Sequence, residues 1–346
     1  MSKLHNLCNF HKLGLKRSKG MLKYILRRLL HLIPVLLIIT IILFAMLEIM
    51  PGDPVNAYLG IGSNATVEQQ NQIREMLGLD APVHIRYVKW LGRTLTGDFG
   101  MSYKYRKPVA DVIGTYIWNS FYLNIVAMIF AFLIAIPVGI KSAVKKYGVF
   151  DNFWTVFSLT GVSMPSFFFA LILIFFVAIP SEWLPLNGMR TTIFLAKGYD
   201  SFGQEVLDVL KHMILPVTVV TVTSLASLTR YVRNAVIEVI NQDYIRTARS
   251  KGLSEKVVIY KHAFRNALLP IVTLLGMYIP GLFGGSILLE TVFVWPGIGN
   301  VLFTSIGDRD YSMLMAANTF YALLMLAGNL LADVSYALVD PRIRVK

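Results

Sequence analysis

The sequence contains a single cysteine, Cys8, in 346 residues, which excludes a disulfide framework and any multi-cysteine metal or iron–sulfur site. Charge is also scarce. Asp, Glu, Lys and Arg make up 15% of the chain against 55% hydrophobic residues, a balance that excludes a soluble protein of this length and describes a membrane protein. The six histidines, His5, His11, His31, His84, His212 and His262, are scattered without metal-ligand spacing and form no His-Glu-x-x-His. No Gly-x-x-x-x-Gly-Lys-Ser/Thr loop cradles phosphates, and Gly139-Ile-Lys-Ser142 lacks the upstream glycine. Gly161-Val-Ser-Met-Pro165 lacks the last glycine of a serine-hydrolase elbow. The chain is therefore expected to be non-catalytic, to bind no metal or cofactor of its own, and to hydrolyse no ATP alone.

Acids are the scarcer charge, 20 against 33 Lys and Arg, for a formal net charge of +13. A nucleic-acid partner is excluded, because the cations sit between apolar runs and not on a soluble surface. Six apolar windows are present: Leu29 to Met50, Phe121 to Ile140, Phe153 to Pro180, Met213 to Thr229, Leu268 to Leu289 and Met313 to Ala332. A helix needs about 20 residues to cross the hydrocarbon core, so the fourth must be extended at either end or sit in a thinned region. With loops assigned to alternate faces, 22 of the 33 Lys and Arg fall on the side of the termini. The positive-inside rule then predicts a multi-pass cell-membrane protein with both termini cytoplasmic.

The expected organisation is a basic cytoplasmic segment 1–28, a first transmembrane helix 29–50, an external cap 51–118, a five-helix core 119–340 and a cytoplasmic tail 341–346. The first apolar run is too long for a secretory signal and no small-x-small site follows, so it is expected to be a retained anchor. Residues 1–20 read as an extension, since Met21-Leu-Lys-Tyr-Ile-Leu-Arg-Arg28 is itself a natural start. In the cap, a helix is predicted with Ala65 or Thr66 near its start and Gly78 just beyond its end, with Val67, Ile73, Met76 and Leu77 roughly on one face, followed by an amphipathic stretch from Ile85 to Leu95, the whole cap being packed on the first span. Glu48, Glu290 and Asp333 lie near predicted span ends, where helix pairing is expected before solute contact.

The loop 230–266 is the informative segment. Asp243-Tyr-Ile-Arg-Thr-Ala-Arg-Ser-Lys-Gly252 reads as a short helix with its acid first, its cations last and a glycine stop. Ser254 is placed to cap a second helix running towards Pro270. Taken as an isolated charge run, Asp243, Tyr244, Arg246, Arg249 and Lys251 would be a solvated face against anionic lipid.

The stretch from Asp243 to Leu253, followed by His262-Ala-Phe-Arg-Asn-Ala-Leu-Leu-Pro270, resembles the coupling loop of ABC-importer permeases of the dipeptide, oligopeptide and nickel class. Pro51-Gly-Asp-Pro54, Gly161-Val-Ser-Met-Pro-Ser-Phe167, Leu184-Pro-Leu-Asn-Gly188, Glu290-Thr-Val-Phe-Val-Trp-Pro-Gly-Ile-Gly299, Arg309-Asp-Tyr311 and Asp340-Pro-Arg-Ile-Arg344 follow in that class's order. The likeness runs from about Met21 to the C-terminus. Arg246, Thr247 and Ala248 stand where the general importer signature has Glu-Ala-Ala, and Arg265 stands at its proline, as in the peptide-class variant.

The resemblance implies an all-α, six-span type I importer permease, the first of a pair. Its implied partners are a second homologous permease, two ATP-binding cassette subunits that supply ATP and Mg, and an extracytoplasmic solute-binding protein. Coupling would fall to Asp243, Tyr244, Arg246, Thr247, Ala248, Arg249, Lys251, Gly252 and Leu253, gripped as a rigid helix from about Gln242 to Lys251. Proteins of this class carry dipeptides, longer peptides or nickel chelates. Gly161, Ser163 and Pro165 mark either a broken helix lining the pathway or close helix packing. The alternative is an ion-coupled secondary transporter working alone, a class that usually places acids or histidines at mid-span; the middles of these spans contain none.

Overall fold

The computed structural model describes the backbone of residues 2–50, 52–59 and 65–339, and side chains within these except at 2–25, 195, 269, 273, 277 and 332–339. Pro51, the tail 341–346 and the side chains of Asp333 and Tyr336 lie outside the described residues. The helices are α1 (Ser2–Ile49), α2 (Pro54–Leu59), α3 (Val67–Met76), α4 (Val83–Leu95), α5 (Val109–Val144), α6 (Val149–Ser163), α7 (Ser166–Leu173), α8 (Thr192–Lys197), α9 (Phe202–Ile240), α10 (Asp243–Ser250), α11 (Glu255–Val257), α12 (Phe264–Phe283), α13 (Ile287–Val292), α14 (Ile298–Gly307) and α15 (Tyr311–Val339). Two π-helical turns, Ile174–Ala178 and Val258–Ala263, extend α7 and join α11 to α12.

Four stretches are long and apolar enough to cross a membrane as single helices: Leu26–Ile49, Val109–Val144, Phe202–Ile240 and Tyr311–Leu331. Two bent pairs, Val149–Ser163 with Ser166–Ala178 at 103° and Glu255–Leu268 with Pro270–Phe283 at 44°, bring the total to six. The short fourth window is lengthened at both ends by polar turns, so that α9 runs 39 residues. Two expected spans are not single helices. Pro165 has no N–H and drives Met164 into the extended region (φ −87°, ψ 124°), which ends α6 inside the third window. The fifth window ends at Phe283, because Gly285 turns the chain at φ +57° and Ile287–Val292 starts a separate short helix.

The core forms where small residues let helices approach. Ala127, Ala131, Ala135 and Gly139 recur every fourth residue on α5 and are all buried against α9 or its neighbours. A Cβ on Gly139 would stand 2.7 Å from the Val232 Cβ, so this stripe is a seat for α9. A second cluster joins Val109, Val112, Ile113 and Ile117 of α5 to Ile298, Val301 and Leu302 of α14 and to Met313, Leu314 and Ala317 of α15.

In the cap, Thr66 and Gln69 form a capping box at the start of α3, and Gly78 takes φ +67° beyond its end. The expected apolar face of α3 is not packed: Val67 is 73% and Met76 61% exposed. Contact with α1 is made instead by α4, through Phe44 against Tyr87 and Trp90 at 5.5 and 6.1 Å, Thr40 with Tyr87 Oη at 3.0 Å, and an ion pair between Glu48 and Arg86.

Helix α12 meets α15 at a point where a Cβ on Gly328 would fall 1.8 Å from Pro280 Cγ. Gly328→Val should therefore destabilise by about 1–3 kcal/mol or more through overpacking, seen as a lower unfolding midpoint in detergent. Gly92→Ala, with nothing within 4 Å of the added carbon, should leave the midpoint unchanged or raise it slightly; equal losses in the two variants would refute a steric cause.

Candidate docking helix between α9 and α12

Helix α10 starts at Gln242, whose extended backbone (φ −76°, ψ 150°) turns the chain away from the end of α9. Asp243 occupies the first turn and Arg249 the last, which complements the helix dipole at both ends. Thr247 Oγ1 donates back to the Asp243 carbonyl at 3.0 Å. Ile245 and Ala248 lie one turn apart and are buried with Val258 and Ala263, with Val239 and Ile240 of α9 packed against them. The helix is thus seated by one apolar face on both the end of α9 and the π-helical turn 258–263.

The opposite face carries the charge. The Asp243 and Arg246 side chains are 97% and 75% exposed, and their 3.7 Å contact contributes little in water. Tyr244 projects from the same short helix, 45% exposed, its hydroxyl pushed up by partial burial. Arg249 spans the following turn and donates to Glu255 through Nε at 3.2 Å and Nη2 at 2.7 Å. That hydrogen-bonded carboxylate holds the Arg249 guanidinium above its ordinary value, against a smaller opposing effect of burial. Between them lies Gly252 at φ +75°, its N–H bonded to the Arg249 carbonyl at 2.9 Å. Lys251 and Leu253 flank it and are exposed. Nothing lies within 4 Å of a Cβ added at Gly252, so the backbone angle, and not crowding, is what calls for glycine here.

Ser254 occupies the extended cap position (φ −61°, ψ 142°), but its side chain makes no capping hydrogen bond, contrary to expectation. The π-helical turn after it has no signal in the residue pattern. Its effect is to bring Val258 and Ala263 together under α10.

Of the three residues expected to mark a broken helix or close packing, one packs and two stand at a break. Gly161 packs: a Cβ there would stand 3.0 Å from the Ala226 Cβ of α9. Ser163 and Pro165 flank the 103° break and are exposed. Sequence reasoning missed what joins this helix to α9. Arg233 Nε and Nη2 donate to Asp151 Oδ1 and Oδ2 at 2.6 and 2.7 Å, and the Tyr147 N–H donates to Asp151 Oδ2 at 2.8 Å. The partners are 82 residues apart, and no local pattern links them. An unbroken run of contacts therefore leads from α10 through Val239 and Ile240 into α9, across Arg233 and Asp151 into α6, and up to the break at Pro165.

Glu290 makes the helix-pairing contacts expected of it. It is 3% exposed and accepts from Ser120 Oγ of α5 at 2.6 Å and from the Asn300 N–H at 2.9 Å. Gly285, Gly297 and Gly299 crowd its carboxylate, each with no room for a side chain. Burial pushes the carboxyl up, opposed by these hydrogen bonds.

Residues 135–345 match the family described as binding-protein-dependent transport system inner membrane component, and residues 21–123 match the N-terminal region of such membrane components. The chain is 41% identical to the oligopeptide transport system permease protein AppB of Bacillus subtilis over 324 residues, covering 93% of this chain and 99% of the relative. It is 38% identical to the dipeptide transport system permease protein DppB of Alkalihalophilus pseudofirmus over 334 residues, 94% of this chain and 100% of the relative. It is also 36% identical to the glutathione transport system permease protein GsiC of Salmonella typhimurium over 326 residues, 94% and 100% of the two chains. The six apolar spans, the seated helix between α9 and α12, and the near full-length likeness lead to one conclusion: this chain belongs to the family of inner membrane components of binding-protein-dependent transport systems.

Proposed function

We propose that the chain is the membrane-spanning permease subunit of an ATP-driven importer of peptides, paired with a second, similar permease. Of two ATP-binding cassette subunits, one docks at α10 and the other at the corresponding helix of the second permease, on the cytoplasmic side where both termini also lie, and an external binding protein delivers di- or oligopeptide to the opposite face. The chain supplies no catalytic group; ATP and Mg are held by the partner subunits. The observation that carries this reading is the construction of α10, an eight-residue helix clamped by Ile245 and Ala248 yet presenting Asp243, Tyr244 and Arg246 outward. A helix seated in this way moves as one body with the end of α9, and the Arg233–Asp151 pair passes that movement to α6 and the Ser163–Pro165 break. The peptide cargo is supported by the names of the relatives. Family membership favours this reading over an ion-coupled carrier working alone.

A pull-down of tagged chain in mild detergent, with ATP hydrolysis read on the eluate, tests the assembly. Co-elution of ATP-hydrolysing subunits and a second permease is expected; a chain that elutes alone and drives uptake from an ion gradient would refute it. Charge reversal refines the test. Arg246→Glu, whose internal partner is only a 3.7 Å exposed contact, should cut co-purified ATPase about tenfold with little effect on stability. Arg249→Glu faces Glu255 and should lose both docking and the turn. Unchanged ATPase recovery in the Arg246→Glu complex would return α10 to a lipid-facing role.

A further inference from the structure

Beside the Arg233–Asp151 pair lies a cavity of about 340 Å³, within the range of small-ligand pockets. It opens to one side between α5, α6 and α9, and its wall combines Trp154 and Leu159 with polar side chains, among them Ser142, Asp151, Thr229, Arg230 and Arg233. Such a lining is unusual between apolar spans. Two hydroxyls of its wall stand out. Ser142 and Thr229 are 0% and 2% exposed, and neither hydroxyl has a hydrogen-bond partner in the protein. Buried hydroxyls of this kind are costly unless something completes them. The charge balance states which kind of group the wall suits. Both Asp151 oxygens are taken by Arg233 and the Tyr147 N–H, so the carboxylate is spent within the wall. Arg230 is exposed at the rim with no ion-pair partner among the described residues, so the donors that remain in the wall are cationic or hydroxyl and suit an anion.

The surroundings say what carries the anion. Lys141, Lys145 and Lys146 stand at the same end of the bundle, at and just beyond the end of α5. Along α6, Phe153, Val156, Leu159 and Val162 are 51–62% exposed and form an apolar strip leading away from the cavity. An ion with an adjoining apolar track suits an amphiphile better than a free anion or a hydrophilic solute. We propose that this cavity binds the headgroup phosphate of an anionic phospholipid of the inner leaflet, with its acyl chains laid along α6. Bound there, the lipid completes Ser142 and Thr229 and bridges α5, α6 and α9 next to the pair that joins α6 to α9. The site is independent of which solute is carried.

Native mass spectrometry of the complex containing the full chain, purified in a neutral detergent and titrated with phosphatidylglycerol or with phosphatidylcholine of the same acyl chains, tests the site. Retention of phosphatidylglycerol in preference to phosphatidylcholine is expected. Arg230→Gln should weaken that preference about fivefold, as for one interfacial cation. Thr229→Val keeps the shape of the side chain, so it should fold normally, bind the lipid more weakly and melt higher than the native chain only when lipid is absent. Equal retention of the two lipids, or phosphatidylglycerol binding unchanged in both variants, would overturn the proposal. Inorganic phosphate displacing phosphatidylglycerol while protecting the lipid-free complex equally well would overturn the lipid assignment in favour of a soluble anion.

Discussion

Peptide uptake should fall at least tenfold in a Gly252→Val variant while membrane insertion and complex assembly stay intact. The added side chain has room, since nothing lies within 4 Å, so the penalty is the φ of +75°, which costs a β-branched residue about 1–3 kcal/mol. A turn under that strain relaxes, and the groups that share it are the Arg249–Glu255 pair and the last turn of α10. The buried anchors Ile245 and Ala248 lie at the other side of the helix and are untouched, which is why insertion survives. The diagnostic comparison is Gly252→Asn. Asparagine tolerates the left-handed region, so it should keep most of the uptake if the backbone angle is the cause. Uptake by reconstituted complex, read beside ATP hydrolysis, decides the matter: normal uptake in the valine variant removes the coupling role from this turn.

The second large effect is expected at Arg233. The Asp151 side chain is 2% exposed and that of Arg233 19%, so Arg233→Ala leaves an almost fully buried carboxylate without its bidentate partner. Removing one member of a buried pair typically costs about 3–5 kcal/mol, and the unfolding midpoint and membrane yield should both drop accordingly. The same physics predicts that the double variant Arg233→Met with Asp151→Leu regains much of that stability, because two apolar groups need no partner. Transport separates a structural pair from a transmitting one. If the pair passes movement from α9 to α6, the double variant should be stable and still transport poorly. Recovery of both properties together would make the pair merely structural.

Some of this molecule is legible in one dimension. The six apolar windows are a property of composition over about 20 residues, and each has a helical counterpart in the structure, because an unpaired backbone in lipid leaves helix as the solution within a single segment. The helix proposed to dock is legible for a similar reason: the acid at Asp243, the cations from Arg246 to Lys251 and the stop at Gly252 are all local, and α10 ends at Ser250 with Gly252 left-handed. The cap helix at Thr66 is set by a capping box of four residues, Thr66 to Gln69. Its packing is another matter, since an apolar stripe on α3 does not say which neighbour will reach it, and it is α4 that packs on α1.

The sequence by itself determined that the chain crosses a membrane as a helical bundle and where a short helix with a glycine stop leaves that bundle, since both follow from interactions within a turn or two. The tertiary structure alone decided that Gly161 packs against Ala226, that Glu290 is pinned to Ser120 across 170 residues, and that Arg233 joins Asp151 across 82. The reason is physical: a glycine, a carboxylate or a guanidinium acquires its role from whatever atom lies within 3 Å of it, and in these cases that atom comes from a distant span brought alongside only when the bundle closes.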